Sequence, residues 1–230
     1  FINDIEKIID RLPSQRQSLL FSATLTEEVR FLADTVNEDA VKISVPLSSA
    51  TTPKINQWLI TVDKDKKSAL LSHLIKQQQW DRALIFIDKK HAAAKLVSQL
   101  EKRGIIAEAI HGGRSQAVRE RILADFKSGE LKFLVATGIA SRGIDIENMT
   151  RVVNYDLPYD SDDYIHRIGR TGRAGASGEA ISFVSNDNFK NLCAIESRLG
   201  HIITRKEIEG FEVKKVVPVS ILNFVPKHKR

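Results

Sequence analysis

The sequence predicts an α/β fold built on a mainly parallel sheet, and three observations support this. Apolar runs of strand length alternate with amphipathic stretches of helix length along most of the chain, the pattern of successive βα units. The strand-length runs are apolar almost throughout instead of alternating with polar residues, as strands covered on both faces are. The chain has 230 residues, 42% hydrophobic and 28% charged, which is enough apolar material for a real core. Disordered, collagenous and coiled-coil classes are thereby excluded.

In chain order the pattern predicts a helix over 3–11, a strand over 18–22, a helix over 26–36 and a strand over 41–45. The main series then follows, with strands over 55–62, 83–87, 105–110, 133–136, 151–155 and 179–184. Helices are predicted over 66–78, 91–103, 115–128 and 186–199. In the second of these, Ala94, Val97, Leu100 and Glu101 recur at helical spacing, with Gly104 as a C-terminal cap. Ser115 is the expected N-cap of the third, and Gly129 its stop.

The rhythm breaks twice. Pro46-Leu47-Ser48-Ser49-Ala50-Thr51-Thr52-Pro53 is small, polar and bracketed by prolines, so it reads as a linker. After Thr204 the alternation stops and Lys214, Lys215, Lys227, Lys229 and Arg230 outnumber nearby acids, which reads as an extended basic tail. The expected organisation is thus a short αβαβ piece (1–45), a linker (46–53), a larger α/β domain (54–204) and the tail (205–230). No internal repeat or low-complexity tract appears.

The longest apolar stretches, such as 83–87 and 133–136, fall far short of the ~18 residues that suggest a membrane span. The N-terminus lacks the basic and apolar regions of a signal peptide, and the lone Cys193 cannot form an intrachain disulfide. These features point to a reducing, cytoplasmic compartment without membrane association. The first residue is Phe1 and not Met, so the chain is expected to begin inside a longer protein. The net charge is +6.

Three segments carry chemistry. His166-Arg167-Ile168-Gly169-Arg170-Thr171-Gly172-Arg173 places four basic side chains in eight residues, too many for an apolar helix face. Arginine forks on a glycine-rich turn match phosphate oxygens bidentately; a solvated basic loop is the plain alternative. Ala136-Thr137-Gly138 to Asp145-Ile146 follows an apolar strand, where ligands bind in open parallel sheets. There Thr137 offers a hydroxyl, Arg142 a cation and Asp145 a carboxylate for sugar hydroxyls, unless Asp145 only caps a turn. His111-Gly112-Gly113-Arg114-Ser115-Gln116 also follows a strand and opens a helix. Its backbone amides, with Gln116 and Arg119 on the first turns, suit an anion. Capping by Ser115 explains the helix start but not the glycine pair.

Together with Ser22-Ala23-Thr24 and Leu84-Ile85-Phe86-Ile87, these segments resemble the ordered C-terminal motifs of DEAD-box ATP-dependent RNA helicases, closest to the bacterial RhlE-like group. The resemblance runs through about residue 210. It implies a RecA-like three-layer fold over 54–204, preceded by the terminal αβαβ segment of a first RecA-like lobe. It also implies that ATP and RNA bind across the cleft between two lobes. By this resemblance Arg170 and Arg173 are arginine fingers, and His166 links to the Ser22/Thr24 element that couples the lobes. Asp145 receives the ATP ribose, grouped with Gly143 and with Arg167, whose other role would be to order the motif. Gly112, Gly113, Gln116, Arg119 and Thr137 would hold RNA phosphates and sugars with little sequence preference. Members often carry Asp where this chain has Gly138.

Neither Gly-x-x-x-x-Gly-Lys-Ser/Thr nor Asp-Glu-Ala-Asp occurs, so the parts that cradle the β and γ phosphates and position Mg²⁺ are expected on a missing N-terminal lobe. The fragment alone is then expected to be inactive as an ATPase and to hold neither ATP nor Mg²⁺ tightly. A non-enzymatic RNA-binding module is the second reading. A dinucleotide oxidoreductase is disfavoured, because Gly169, Gly172 and Gly175 are spaced by threes and make no Gly-x-Gly-x-x-Gly. Trp58, Trp80 and Cys193 are expected to pack, and His73, His91, His201 and His228 show no metal-ligand spacing.

Overall fold

The structure, a computed structural model, describes residues 2–22, 27–36, 41–43, 55–138, 146, 149–172 and 177–222. The chain divides into two units, Phe1–Thr51 and Thr52–Arg230.

In the first unit, α1 (Ile2–Ile9) and α2 (Glu27–Val36) form where the helical periodicity lies. The two strands expected there do not: 18–22 and the described part of 41–45 are irregular. A strand exists only as one rung set of a ladder, and the described residues of this unit supply no partner strand. Leu19, Phe21, Val41 and Ile43, whose apolar character suggested strands, are left exposed.

The second unit runs β1 (Ile55–Thr61), α3 (Lys67–Gln77), β2 (Ala83–Ile87), α4 (Lys90–Glu101), β3 (Ala107–Ile110), α5 (Gln116–Ser128), β4 (Phe133–Thr137) and β5 (Arg151–Asn154). It continues with α6 (Ser161–Ile168), β6 (Gly178–Val184), a 3-10 turn (Asn186–Asn188), α7 (Phe189–Leu199) and β7 (Thr204–Lys206). The strands form one sheet in the order β3-β4-β2-β5-β6-β1-β7, and every pairing is parallel. The period of two along each strand sorts the core into faces. Ile60, Ile85, Val135, Val153 and Phe183 pack on one side with Leu74 of α3 and Leu96 and Leu100 of α4. On the other side Leu84, Leu134 and Val152 meet Ile122 and Phe126 of α5, while Leu59, Ala180 and Val184 meet Tyr164 and Ile168 of α6 and Leu192 of α7. This is the three-layer α/β fold expected from the sequence, with helices on both faces of a parallel sheet.

Local signals held where the chemistry was local. The Ser115 side chain accepts from the Val118 amide at 3.5 Å at the start of α5, and Gly129 ends that helix at φ +89°. In α4 the buried positions are Ala93, Leu96 and Leu100, one residue round from the expected face, so Ala94 and Glu101 point outward. Trp58 and Trp80 are buried, and the Trp58 indole donates to Glu179 at 2.7 Å.

The described part of the expected tail is held to the domain. Arg205 and Lys206 belong to the edge strand β7, and Lys206 Nζ lies 4.0 Å from the centre of the Trp58 ring. Arg205 donates to the carbonyls of Val217 and Pro218, Val217 is buried, and the Phe211 ring packs 5.4 Å from His73. The basic composition suggests an extended tail, because lysine count does not reveal that Ile208, Phe211 and Val217 supply apolar anchors.

Glu196 in α7 is fully buried. One carboxylate oxygen accepts from the Ile203 amide at 2.8 Å, and the other has no hydrogen-bond partner among the described residues. Burial pushes its pKa up, against the Ile203 hydrogen bond and the charges of Arg205 and His201. A carboxyl with a raised folded pKa contributes its full stability while both states are protonated, and loses it as pH rises through the folded value. Glu196→Gln should therefore raise the melting temperature at pH 8, with the gain shrinking toward pH 4, as read by thermal denaturation across that range.

Candidate functional site

Parallel strands all end on the same edge of a sheet, so the loops that leave β2, β3, β4 and β5 emerge side by side. Ile110 of β3 pairs with Ala136 of β4, and Thr137 of β4 pairs with Ile87 of β2. This register brings His111, Thr137 and Asp88 to neighbouring strand ends, although they are far apart in sequence. Phe86 of β2 pairs with Asn154 of β5, which adds Tyr155 and Asp156 to the same edge.

The loop after β3 carries the glycine pair. Gly112 and Gly113 are exposed, and a side chain added at Gly112 would meet nothing within 4 Å, so the fold itself does not require glycine there. The Gly113 amide is not open to an anion as the sequence suggested. It donates to His111 Nδ1 at 3.1 Å. Only a neutral imidazole can accept that bond, and burial, helped by the charges of Arg114, Lys90 and His91, holds the His111 pKa below its ordinary value. One turn on, Gln116 donates to Glu120 at 2.7 Å and Arg119 donates to Gln116 at 3.3 Å. These form a polar ladder on the first turns of α5. The Arg119 Nε is buried without a hydrogen-bond partner among the described residues.

The described part of the arginine-rich segment, residues 166–172, is only partly a turn. His166, Arg167 and Ile168 form the last turn of α6, a helix the sequence reading missed. Its signals were present: the Asp160 side chain caps the helix by accepting from the Asp162 amide at 2.9 Å, acids fill the first turn and bases the last. The error was to treat basic residues as incompatible with a buried helix face. Arg167 is 4% exposed and sits on that face with Tyr164 and Ile168.

Arg167 can be buried because its charge is matched. Its Nε donates to Asp163 at 3.0 Å, its Nη1 donates to the Asp156 carbonyl at 2.9 Å, and its Nη2 lies 3.7 Å from Asp88. The guanidinium also lies 5.2 Å from the centre of the Phe86 ring. The guanidinium is thus held by three carboxylate and carbonyl partners within the chain. A Cβ at Gly138 would sit 3.5 Å from Arg167 Nη2 and 3.6 Å from Asp163, in ordinary contact. Gly138, just past β4, thus lies against this pair.

A second buried cation, Lys67 at the start of α3, adjoins the first through Asp156. Its ammonium donates to the Tyr155 carbonyl at 2.7 Å and to the Asp156 carboxylate at 3.1 Å. The other Asp156 oxygen accepts from the Asp88 amide at 3.3 Å. Burial lowers the Lys67 pKa against the pull of Asp156 and Asp88, and burial, with the nearby Asp156 charge, raises that of Asp88 against Arg167 and Lys67. No sequence motif pointed to Lys67, Asp88 or Asp156; only the pairing of Asp163 and Arg167 at helical spacing was legible.

Arg170, half-buried, follows directly. Its amide donates to the Arg167 carbonyl at 3.2 Å, and its own carbonyl accepts from the Met149 amide at 3.1 Å. Thr171 is buried, with its hydroxyl donating to the Met149 carbonyl. Glycine is required at Gly178, where any side chain would collide with Thr171 and Gly172. His166 is exposed and Thr137 is buried at the end of β4. Ser22 is exposed in the first unit. Thr24, Gly143, Asp145 and Arg173 lie outside the described residues.

Residues 65–175 match the family described as the helicase conserved C-terminal domain. The solved chain of the E. coli DEAD-box protein SrmB, determined with the regulator of ribonuclease activity A, is covered in full by 74% of this chain at 35% identity and a TM-score of 0.69. This chain belongs to the DEAD-box helicase family. Another DEAD-box structure, S. cerevisiae Dbp5 bound to RNA and ADP BeF3, matches 89% of the chain at 34% identity with a TM-score of 0.80, and 55% of that protein is covered. Among curated relatives, the DEAD-box ATP-dependent RNA helicase CshA of Geobacillus kaustophilus is 41% identical over 85% of this chain and 42% of its own length. The ATP-dependent RNA helicase DbpA of Bacillus subtilis is 38% identical over the whole chain and 49% of its own. The chain spans about half the length of these curated relatives. The matches carry the DEAD-box family, while the RhlE-like subgroup rests on sequence resemblance alone. No helix of the described residues is long and apolar enough to cross a membrane.

Removing the Arg167 charge would take from Asp163 and Asp88 the guanidinium that they share. Breaking a buried pair in this way costs about 3–5 kcal/mol, so Arg167→Met should lower the unfolding free energy of the chain by that order in urea titrations.

Proposed function

We propose that this DEAD-box chain forms the C-terminal lobe of a two-lobed protein that couples ATP binding and hydrolysis to local RNA duplex unwinding or remodelling. The observation that carries the reading is the fixing of Arg170. Both backbone polar groups of this residue are hydrogen-bonded, the amide to the Arg167 carbonyl and the carbonyl to the Met149 amide, where α6 meets the lead-in to β5.

Transfer of a phosphoryl group to water spreads negative charge over the γ-phosphate oxygens, and an arginine held in place beforehand stabilises that charge without reorganisation. In this reading Arg170, with Arg173, supplies that charge when the lobes close. His166 carries the contact toward the Ser22/Thr24 element, and Asp145 with Gly143 receives the ribose. Arg167 orders the motif. No group of His, Cys, Asp or Glu side chains among the described residues is arranged to hold a metal, and Mg²⁺ belongs in this reading to acidic residues of the N-terminal lobe.

RNA would lie over the loop after β3 and the end of β4. There Gln116 and Arg119 would exchange their mutual hydrogen bond for phosphate oxygens, and Gly112 would let the backbone of the strand approach closely. Thr137 would reach a sugar or phosphate. The Gly113 amide joins only if His111 releases it. Contacts to phosphate and sugar hold a strand without reading its bases. Because the fingers and part of the RNA surface share one lobe, ATP and RNA bias the same closure equilibrium.

In the complete protein, Arg170→Ala should lower RNA-stimulated ATP turnover by roughly 10³–10⁵, measured by phosphate release; unchanged turnover would leave only an RNA-binding module. Arg119→Ala should weaken RNA binding about equally for all sequences and reduce the slope of log affinity against log salt by about 1, measured by fluorescence anisotropy.

A further inference from the structure

We propose that Lys67 is a positioning residue for Arg170, acting through Asp156 and Arg167. The inference rests on reading Arg170 as the arginine finger. Lys67 lies outside every motif that carries the family resemblance, roughly a hundred residues before Arg170 in sequence, and touches no expected ligand. Yet it is 2% exposed, and a buried ammonium is too costly to keep for packing alone.

Its contacts show what it holds. The ammonium is clamped between the Tyr155 carbonyl and the Asp156 carboxylate and lies 5.4 Å from the centre of the Tyr155 ring. This fixes the chain as it leaves β5. From the same residue the Asp156 carbonyl accepts Arg167 Nη1, and Asp163 and Asp88 complete the guanidinium's partners. The Arg167 carbonyl in turn accepts the Arg170 amide. A continuous line of hydrogen bonds therefore runs from the first turn of α3, across the end of β5, to the last turn of α6 and the residue beyond it. Without the ammonium, Asp156 would keep an uncompensated charge and turn toward water, and the carbonyl that anchors Arg167 would move with it. Displacement of a charge-stabilising group by about 1 Å can cost on the order of 10²-fold in rate, so small motions at Asp156 are enough.

The test measures RNA-stimulated ATP turnover of the complete two-lobed protein at saturating RNA. The wild type is compared with Lys67→Met, Arg170→Lys and the combination of the two. Lys67→Met is expected to lower kcat by about tenfold or more while KM for ATP stays within about twofold. In the Arg170→Lys background, where the finger geometry is already lost, the same substitution is expected to change kcat by less than about twofold. A simple loss of folded protein would scale turnover equally in both backgrounds, so equal factors overturn the proposal. Because Lys67→Met strands the Asp156 charge, the comparison is repeated with Lys67→Met/Asp156→Asn, which removes both charges and keeps an acceptor for the Asp88 amide. Arg170→Lys with wild-type turnover would instead overturn the finger assignment, and the positioning role with it.

Discussion

The burial of the Arg167 guanidinium is the constraint around which the ligand-binding edge is arranged. A charge that is 4% exposed is tolerable only when each of its donors has an acceptor. Meeting that requirement draws in the end of β2 through Asp88, the end of β5 through the Asp156 carbonyl, and the first turn of α6 through Asp163. Lys67 ties the same point to α3. Two strand ends and two helices that are separate in sequence thus share one electrostatic anchor, and Gly138, just past β4, lies against it.

The parallel sheet makes that convergence possible. Helices on both faces bury the central strands β2 and β4 fully, and the polar groups fall to the loops at the strand ends. A rigid edge with polar loops allows groups to be held ready for a charge that develops elsewhere. It also explains why the residues with the fewest described partners sit at the rim. Gly112 faces open space and His166 is exposed, while Arg167 and Lys67 behind them are buried.

Much of this was legible in sequence. The strands and helices of the second unit fall within a few residues of their expected places, because a strand buried on both faces must be apolar throughout and a helix must show its period. The missed helix, α6, had an ordinary cap at Asp160, but its buried face includes an arginine, and the rule that buried faces are apolar fails when a charge finds its partners. The opposite holds at 18–22 and in the described part of 41–45, residues 41–43, where apolar residues suggest strands but no described strand pairs with them. The basic composition of 205–230 likewise concealed the apolar anchors Phe211 and Val217.

By itself, the sequence determined the α/β class, the alternation of elements, the caps at Ser115 and Gly129, and the motifs that mark the DEAD-box family, because each depends on residues close together in the chain. Only the tertiary structure decided that Arg167 is buried among Asp163, Asp156 and Asp88, that the Gly113 amide is already engaged by His111, and that Lys67 is buried against Asp156. Those outcomes turn on which side chains meet across strand ends, and the strand order β3-β4-β2-β5-β6-β1-β7 brings together residues that no local pattern connects.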